Sequence, residues 1–203
     1  EYLKADEKAM VEKAHVFISH AWRYEFLKLY DTLANHFQYE PDTFIWFDLF
    51  SNNQHLAVEL DFDWWSTTFY KAIESFGRVV LVLMPWNKPI VFTRAWCLFQ
   101  IYTTIATGSR FEVALENGEK DAFIQSMIDR PGTYLQLLAD IDVKNADAWN
   151  PDDKLKIFEA VKQMEGGFAG VNGKICGKMR EWMVNALKAS TYEDGLNVET
   201  IVE

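Results

Sequence analysis

Trp96 and Gln100 stand four residues apart in Thr93-Arg94-Ala95-Trp96-Cys97-Leu98-Phe99-Gln100. The stretch has helical spacing, so the two side chains sit one above the other on a single face, with Thr93 placed to act as the N-cap. An indole beside a carboxamide offers a stacking surface and a hydrogen-bonding group to a flat ligand. Two further stretches carry the same kinds of residue: Ser19-His20-Ala21-Trp22-Arg23, and the span from Asp48 through Phe50 to Trp65. His20 reads as a residue that satisfies loop backbone groups rather than as a general base. Cys97 reads as a small buried hydrophobe, though its place beside Gln100 makes it a candidate modification site. Asp61-Phe62-Asp63 reads as a loop cap rather than a metal site. Cys97 and Cys176 form neither a CxxC nor a Cys/His spacing, so no metal or resident cofactor is expected.

The elements that must position these residues follow from periodicity. His15–Ser19, Thr43–Leu49, Arg78–Met84 and Arg110–Leu115 are short apolar runs that read as strands, the third buried on both faces because it barely alternates. Between them, Tyr24–Gln38, Trp64–Phe76 and Thr93–Thr107 repeat apolar residues at 3/4 spacing. Strict alternation of strand and helix predicts an α/β fold, a flavodoxin-like doubly wound parallel sheet with right-handed crossovers. The three residue-bearing stretches then leave the carboxyl ends of successive strands and converge on one cleft. After Leu115, Glu119–Arg130 reads as a helix, and Tyr134–Val143 is open between a helix and a last strand. Ala146–Gln163 and Gly173–Lys188 read as helices, the first entered through Asn150-Pro151-Asp152 and the two separated by a flexible Gly166–Gly170 break. Trp64, Trp86, Trp149 and Trp182 read as packing or interface residues. The expected organisation is a helical lead-in over 1–14, the α/β domain over 15–143, a helical extension of the same domain over 144–190, and a frayed tail over 191–203.

Composition bounds the rest. The chain has 203 residues, 49% apolar and 25% charged, which fits one globular domain and excludes a mainly disordered or fibrous chain. Thirty acidic against 20 basic residues give a net charge of −10, a field that repels phosphate backbones and anionic lipid. Lys4, Lys8 and Lys13 are spread along one acid-flanked helix, so nucleic acid is not an expected partner. No apolar run reaches transmembrane length, and the charged first residues do not form a signal peptide, so the expected setting is the cytoplasm, with reduced cysteines. The start without Met reads as an excised fragment. Eight Trp, 8 Tyr and 15 Phe exceed what a core needs and favour stacking on a flat ligand.

HVFISHAW followed by a helix, the WFDLF strand end with its long polar loop, and RAWCLFQI opening the third helix together resemble a Toll/interleukin receptor (TIR) domain. The resemblance covers residues 14 to 130, and IDVKNADAW with the final helix is similar to an extended TIR-like subfamily. It implies an NAD+ glycohydrolase that releases nicotinamide and ADP-ribose or a cyclic variant, with NAD+ as substrate. Its Trp-x-x-x-Glu pattern falls on Trp96 and Gln100, so Gln stands where enzymatic members carry the catalytic Glu. The resemblance implies that this copy is inactive and substrate-trapping, and the near-isosteric exchange favours an engineered origin. It aligns Trp65 with an aromatic residue that contacts the nucleotide. By their own chemistry, Trp22 and Phe50 on neighbouring loop ends suit a sandwich for a flat ring and Arg23 and Arg94 suit the pyrophosphate, Asp48 is open between orienting the loop and touching a ribose, and Ser19 and His20 are further substrate-binding candidates at the strand end. The family's basic residues after the first strand are replaced here by Ala21-Trp22. Homotypic assembly through the Phe50–Asp63 loop, with Leu56, Val58, Leu60 and Phe62 as its apolar residues, is implied as well, as is defence or stress signalling. The other implied reading is a non-catalytic adaptor that signals by self-association.

Overall fold

The computed structural model describes residues 12–51, 62–130 and 132–194. Four strands, Val16–Ser19 (β1), Ile45–Trp46 (β2), Arg78–Leu83 (β3) and Arg110–Leu115 (β4), form an all-parallel sheet of order β2-β1-β3-β4. This is the flavodoxin-like α/β arrangement that the alternation of elements predicts. The chain order reverses beside β1, so the loops after β1 and β3 diverge to opposite faces and leave a crevice at the carboxyl ends of the strands.

Side-chain alternation along the strands assigns the faces. Val16 and Ile18 of β1 and Val80 and Val82 of β3 pack with Leu29 and Leu33 of the helix Phe26–His36 (α1). Phe17 and Val79 point the other way and meet Phe69 and Ile73 of the helix Phe62–Phe76 (α3). On that second face Leu81 and Leu83 join Leu98 and Ile101 of the helix Ala95–Ala106 (α4). By the same alternation Ser19 shares the face of Phe17, which turns its hydroxyl toward α4.

The second predicted strand is shorter than its sequence pattern. Only Ile45 and Trp46 pair with β1, at the sheet edge, and the chain turns at once into the short helix Asp48–Ser51 (α2). Thr93 is not the N-cap of α4. It closes a 3-10 turn over Ile90–Thr93, its hydroxyl donates to the Ile90 carbonyl at 2.7 Å, and Arg94 is the cap residue.

Past β4 come Glu119–Asp129 (α5), Thr133–Ala139 (α6), Pro151–Gln163 (α7) and Gly167–Asp194 (α8). The open choice at Tyr134–Val143 resolves as helix followed by a 3-10 turn at Val143–Asn145. Residues 146–150 precede α7 as irregular chain, and α7 starts at Pro151 with the Asn150 side chain accepting from the Asp152 amide at 3.0 Å. The expected break over Gly166–Gly170 is tighter than that: α8 begins at Gly167. Gly166 has φ 75°, and a Cβ on Gly170 would collide with the Glu165 carbonyl, so glycines permit an abrupt turn. These helices share one buried cluster with the sheet, from Leu81 through Leu98 and Phe123 to Ile175 and Met183, so the extension is part of the same core. α8 continues through Asp194, past the point where fraying is expected. Residues 1–11 of the expected lead-in helix, the loop residues Leu56, Val58 and Leu60, and the tail from 195 lie outside the described residues. Among the described residues no helix is long and apolar enough to cross a membrane.

Candidate functional site

A cleft of about 280 Å³ opens where the sheet topology places it. Eight residues singled out from sequence line it. His20 and Trp22 follow β1, Asp48 opens α2, and Trp65 sits near the start of α3. Arg94, Trp96, Cys97 and Gln100 come from the cap and first turns of α4.

Gln100 lies at the base, 7% exposed, its Oε1 accepting from Ser19 Oγ at 2.7 Å. Ser19 is itself buried, behind the lining, and acts as the donor that fixes the carboxamide. A buried pair of this kind is worth about 1 kcal/mol net and leaves a costly unsatisfied group if one partner is lost. Trp96 is half-buried in an aromatic cluster, with ring centroids 5.4 Å from Phe62, 5.2 Å from Phe69 and 5.8 Å from Phe99. These edge and tilted contacts fix its plane. Trp65 packs at 5.4 Å on Phe69, so two of the cleft indoles rest on the same ring.

Trp22 is exposed and donates its Nε1–H to Asp48 Oδ2 at 2.7 Å. Asp48 thus orients the loop after β1. His20 Nε2 lies 3.5 Å from Asp48 Oδ1, beyond good hydrogen-bond geometry, and burial pushes the imidazole pKa below its ordinary 6.5 despite the nearby carboxylate. His20 is therefore neutral at neutral pH. Cys97 is fully packed, its thiol donates to the His20 carbonyl at 3.3 Å, and burial raises its pKa to about 12. A thiol so placed is neither a nucleophile nor an accessible modification site, which corrects that candidate role.

Two candidates lie elsewhere. Arg23 is exposed and is not part of the lining, which leaves Arg94 as the guanidinium among the described lining residues. Phe50 is 74% exposed and packs on Phe26 and Phe47, outside the cleft, so it does not sandwich a ring with Trp22. Phe62 is buried against Trp96 rather than presented as an assembly surface.

Four lining residues are not among the site candidates of the sequence: Phe69, Trp149, Asn150 and Asp153. The last three belong to the stretch that leads into and opens α7. That segment pairs with the start of α4, Asp147 N–H donating to the Thr93 carbonyl at 2.8 Å and Ala95 N–H to the Asp147 carbonyl at 2.9 Å. Asp153 Oδ2 then accepts the Trp96 Nε1–H at 3.2 Å. Trp149, expected as a packing or interface residue, instead stands 78% exposed on the cleft wall. The Asn150-Pro151-Asp152 helix start was the available signal, since residues just before a helix cap lie at an element's end, where sites form.

No three His, Cys, Asp or Glu side chains are grouped to hold a metal ion among the described residues. Chemically the cleft offers indole faces, a clamped carboxamide at its base, two carboxylates and one guanidinium. No family model matches this sequence, and no curated protein or solved structure matches it either.

Proposed function

We propose that this chain carries a TIR-type NAD+ site, built as a glycohydrolase that breaks the nicotinamide–ribose bond, with Gln100 in the position of the catalytic glutamate. The observation that carries the reading is the Ser19–Gln100 hydrogen bond of 2.7 Å at the base of an indole-walled cleft at the sheet's carboxyl end. Trp22, Trp65 and Trp96 suit the flat rings of a dinucleotide, and Arg94 suits its pyrophosphate.

In the reaction the C1′–N bond breaks with its electron pair leaving on the nicotinamide nitrogen. Positive charge develops on the ribose, and water adds to C1′ and gives its proton to solvent. A carboxylate held by Ser19 would stabilise that charge as it forms. Gln100 retains the hydrogen bonding and lacks the charge, a loss of the kind that slows such steps by about 10²–10³-fold. The proposed state of this chain is therefore NAD+-binding with little or no turnover. The proposed setting is cytoplasmic, in homotypic assemblies.

The test is Gln100→Glu, read as nicotinamide released from NAD+ at high protein concentration. The expected result is release at least on the order of a hundredfold faster than from the parent. If neither protein releases nicotinamide, the enzyme reading fails and the second reading takes its place: a non-catalytic adaptor that signals by self-association. That reading is favoured by one observation, a site residue without charge whose carboxamide oxygen already accepts a hydrogen bond inside the protein.

A further inference from the structure

The segment 147–153 lies beyond residues 14–130, begins inside the IDVKNADAW stretch that resembles the extended subfamily, and completes the cleft. Backbone pairing to Thr93 and Ala95 fixes it, the Asn150 side chain is engaged as the cap of α7, and Asp153 is tied to the Trp96 indole. The Trp149 side chain has no hydrogen bond or ring contact among the described residues, and most of its surface faces solvent at the cleft wall.

Among the described lining residues carboxylates outnumber guanidinium groups. Asp48 and Asp153 bring two carboxylates, Arg94 brings one guanidinium that makes no ion pair among the described residues, and His20 is held neutral by burial. The chain as a whole carries −10. Four indoles, Trp22, Trp65, Trp96 and Trp149, surround this negative excess. The face of an indole carries negative potential and attracts cations, most strongly where carboxylates stand nearby and water is partly excluded.

We propose that the cleft recognises its ligand by positive charge on a flat heterocycle, with Trp149 stacking on the ring and Asp153 setting the preference for the cation over its neutral counterpart. The proposal rests on the NAD+ reading in one respect: the pyridinium ring of NAD+ belongs to this class, whereas the dihydropyridine of NADH does not. It assigns the pyridinium end of the dinucleotide to the side of the cleft formed by the extension and leaves the phosphates to Arg94.

The experiment is calorimetric titration of the full chain with 1-methylnicotinamide, a cation, and with nicotinamide, its neutral counterpart of nearly the same shape. The cation is expected to bind tighter by about tenfold. Asp153→Asn is expected to reduce that ratio to within about threefold, Asp153→Glu to retain it, and Trp149→Ala to weaken the cation while Trp149→Phe restores most of the binding. Equal affinity for the two compounds, no binding of either at millimolar concentration, or a ratio that both Asp153 variants leave unchanged would overturn the proposal. Its failure is separable from that of the hydrolase reading. Nicotinamide release by Gln100→Glu without a charge preference leaves the hydrolase standing and removes the cation site, and a charge preference without release does the reverse.

Discussion

The two ends of the parallel sheet carry the same kinds of side chain and use them in opposite ways. At the amino ends of β3 and β4, Glu112 accepts from Arg78 Nε at 2.7 Å and Nη2 at 2.9 Å, forms an ion pair with Arg110 Nε at 2.7 Å, and lies 3.0 Å from His36 Nε2. Arg78 also reaches Glu40 through both terminal nitrogens, at 2.6 and 3.1 Å. Burial alone would raise the Glu112 carboxyl, but hydrogen bonds from His36 and Arg78 and the charges of both arginines outweigh it and hold the group down at about 2. At the carboxyl ends Arg94 makes no ion pair within 4 Å among the described residues, its charge reaching the Asp147 carboxyl only from farther off, and His20 stands 3.5 Å from Asp48. Two of the indoles there, Trp22 and Trp149, face solvent. A charge met by several partners stabilises the chain that carries it. Charge and aromatic surface left unmatched are what a ligand can use.

The largest expected effect comes from breaking the matched end. Glu112→Gln leaves Arg110 without its carboxylate and Arg78 with Glu40 alone, which should cost about 2–3 kcal/mol, below the usual figure for a fully buried pair because the network is partly solvated. In a chain of this size that lowers the melting temperature by roughly 4–12 °C. Titration of the cleft with 1-methylnicotinamide should be unchanged within about twofold. A variant that melts with the parent, or that loses the ligand, would erase the distinction between the two ends.

Acid should separate them next. An unfolded Glu takes up its proton near 4.5 and folded Glu112 only near 2. The stability this group contributes is thus complete above pH 4.5 and is lost as pH falls from there toward 2. His20 has a folded pKa lowered from 6.5, so below pH 6.5 the unfolded chain binds the proton first and stability begins to fall. Melting temperature against pH should therefore descend in two steps. Glu112→Gln should flatten the lower one and His20→Asn the upper. An upper step that survives His20→Asn would show that burial does not hold His20 neutral.

How much of this was legible in the sequence differs between the ends as well. Arg110–Leu115 was read to the residue, and the face shared by Trp96 and Gln100 followed from i, i+4 spacing, because local periodicity determines both. At β2 the apolar pattern is longer than the strand. Thr43–Leu49 is mostly apolar, but an edge strand pairs on one side only, and Asp48 starts a helix just after β2 ends. The Glu112 network joins residues from α1, the loop after it and two strands, and the cleft wall joins residues more than fifty positions apart, as in Trp96 with Asp153. Contacts of that separation leave no periodic trace. Arg23 and Arg94 look equivalent in sequence, and only the packing of the 147–153 segment against α4 makes Arg94 the one in the cleft.

The smallest effect on stability, and the sharpest separation of stability from binding, is expected at Trp149. An indole that is 78% exposed has little area to lose, so Trp149→Ala should change the unfolding free energy by less than about 0.5 kcal/mol. Its backbone neighbours are secured independently, by Asp147 on Thr93 and by the Asn150 cap, so the wall should keep its course without the ring. If the ring only covers the protein, removing it changes neither the melt nor the titration. If it is the stacking surface for a cationic ring, 1-methylnicotinamide affinity should fall several-fold, on the order of 1 kcal/mol, while the melting curve stays where it was. A melt lowered by more than about 1 kcal/mol would place Trp149 with the structural side chains, because large losses come from buried groups, and would move the boundary between the two ends into the cleft.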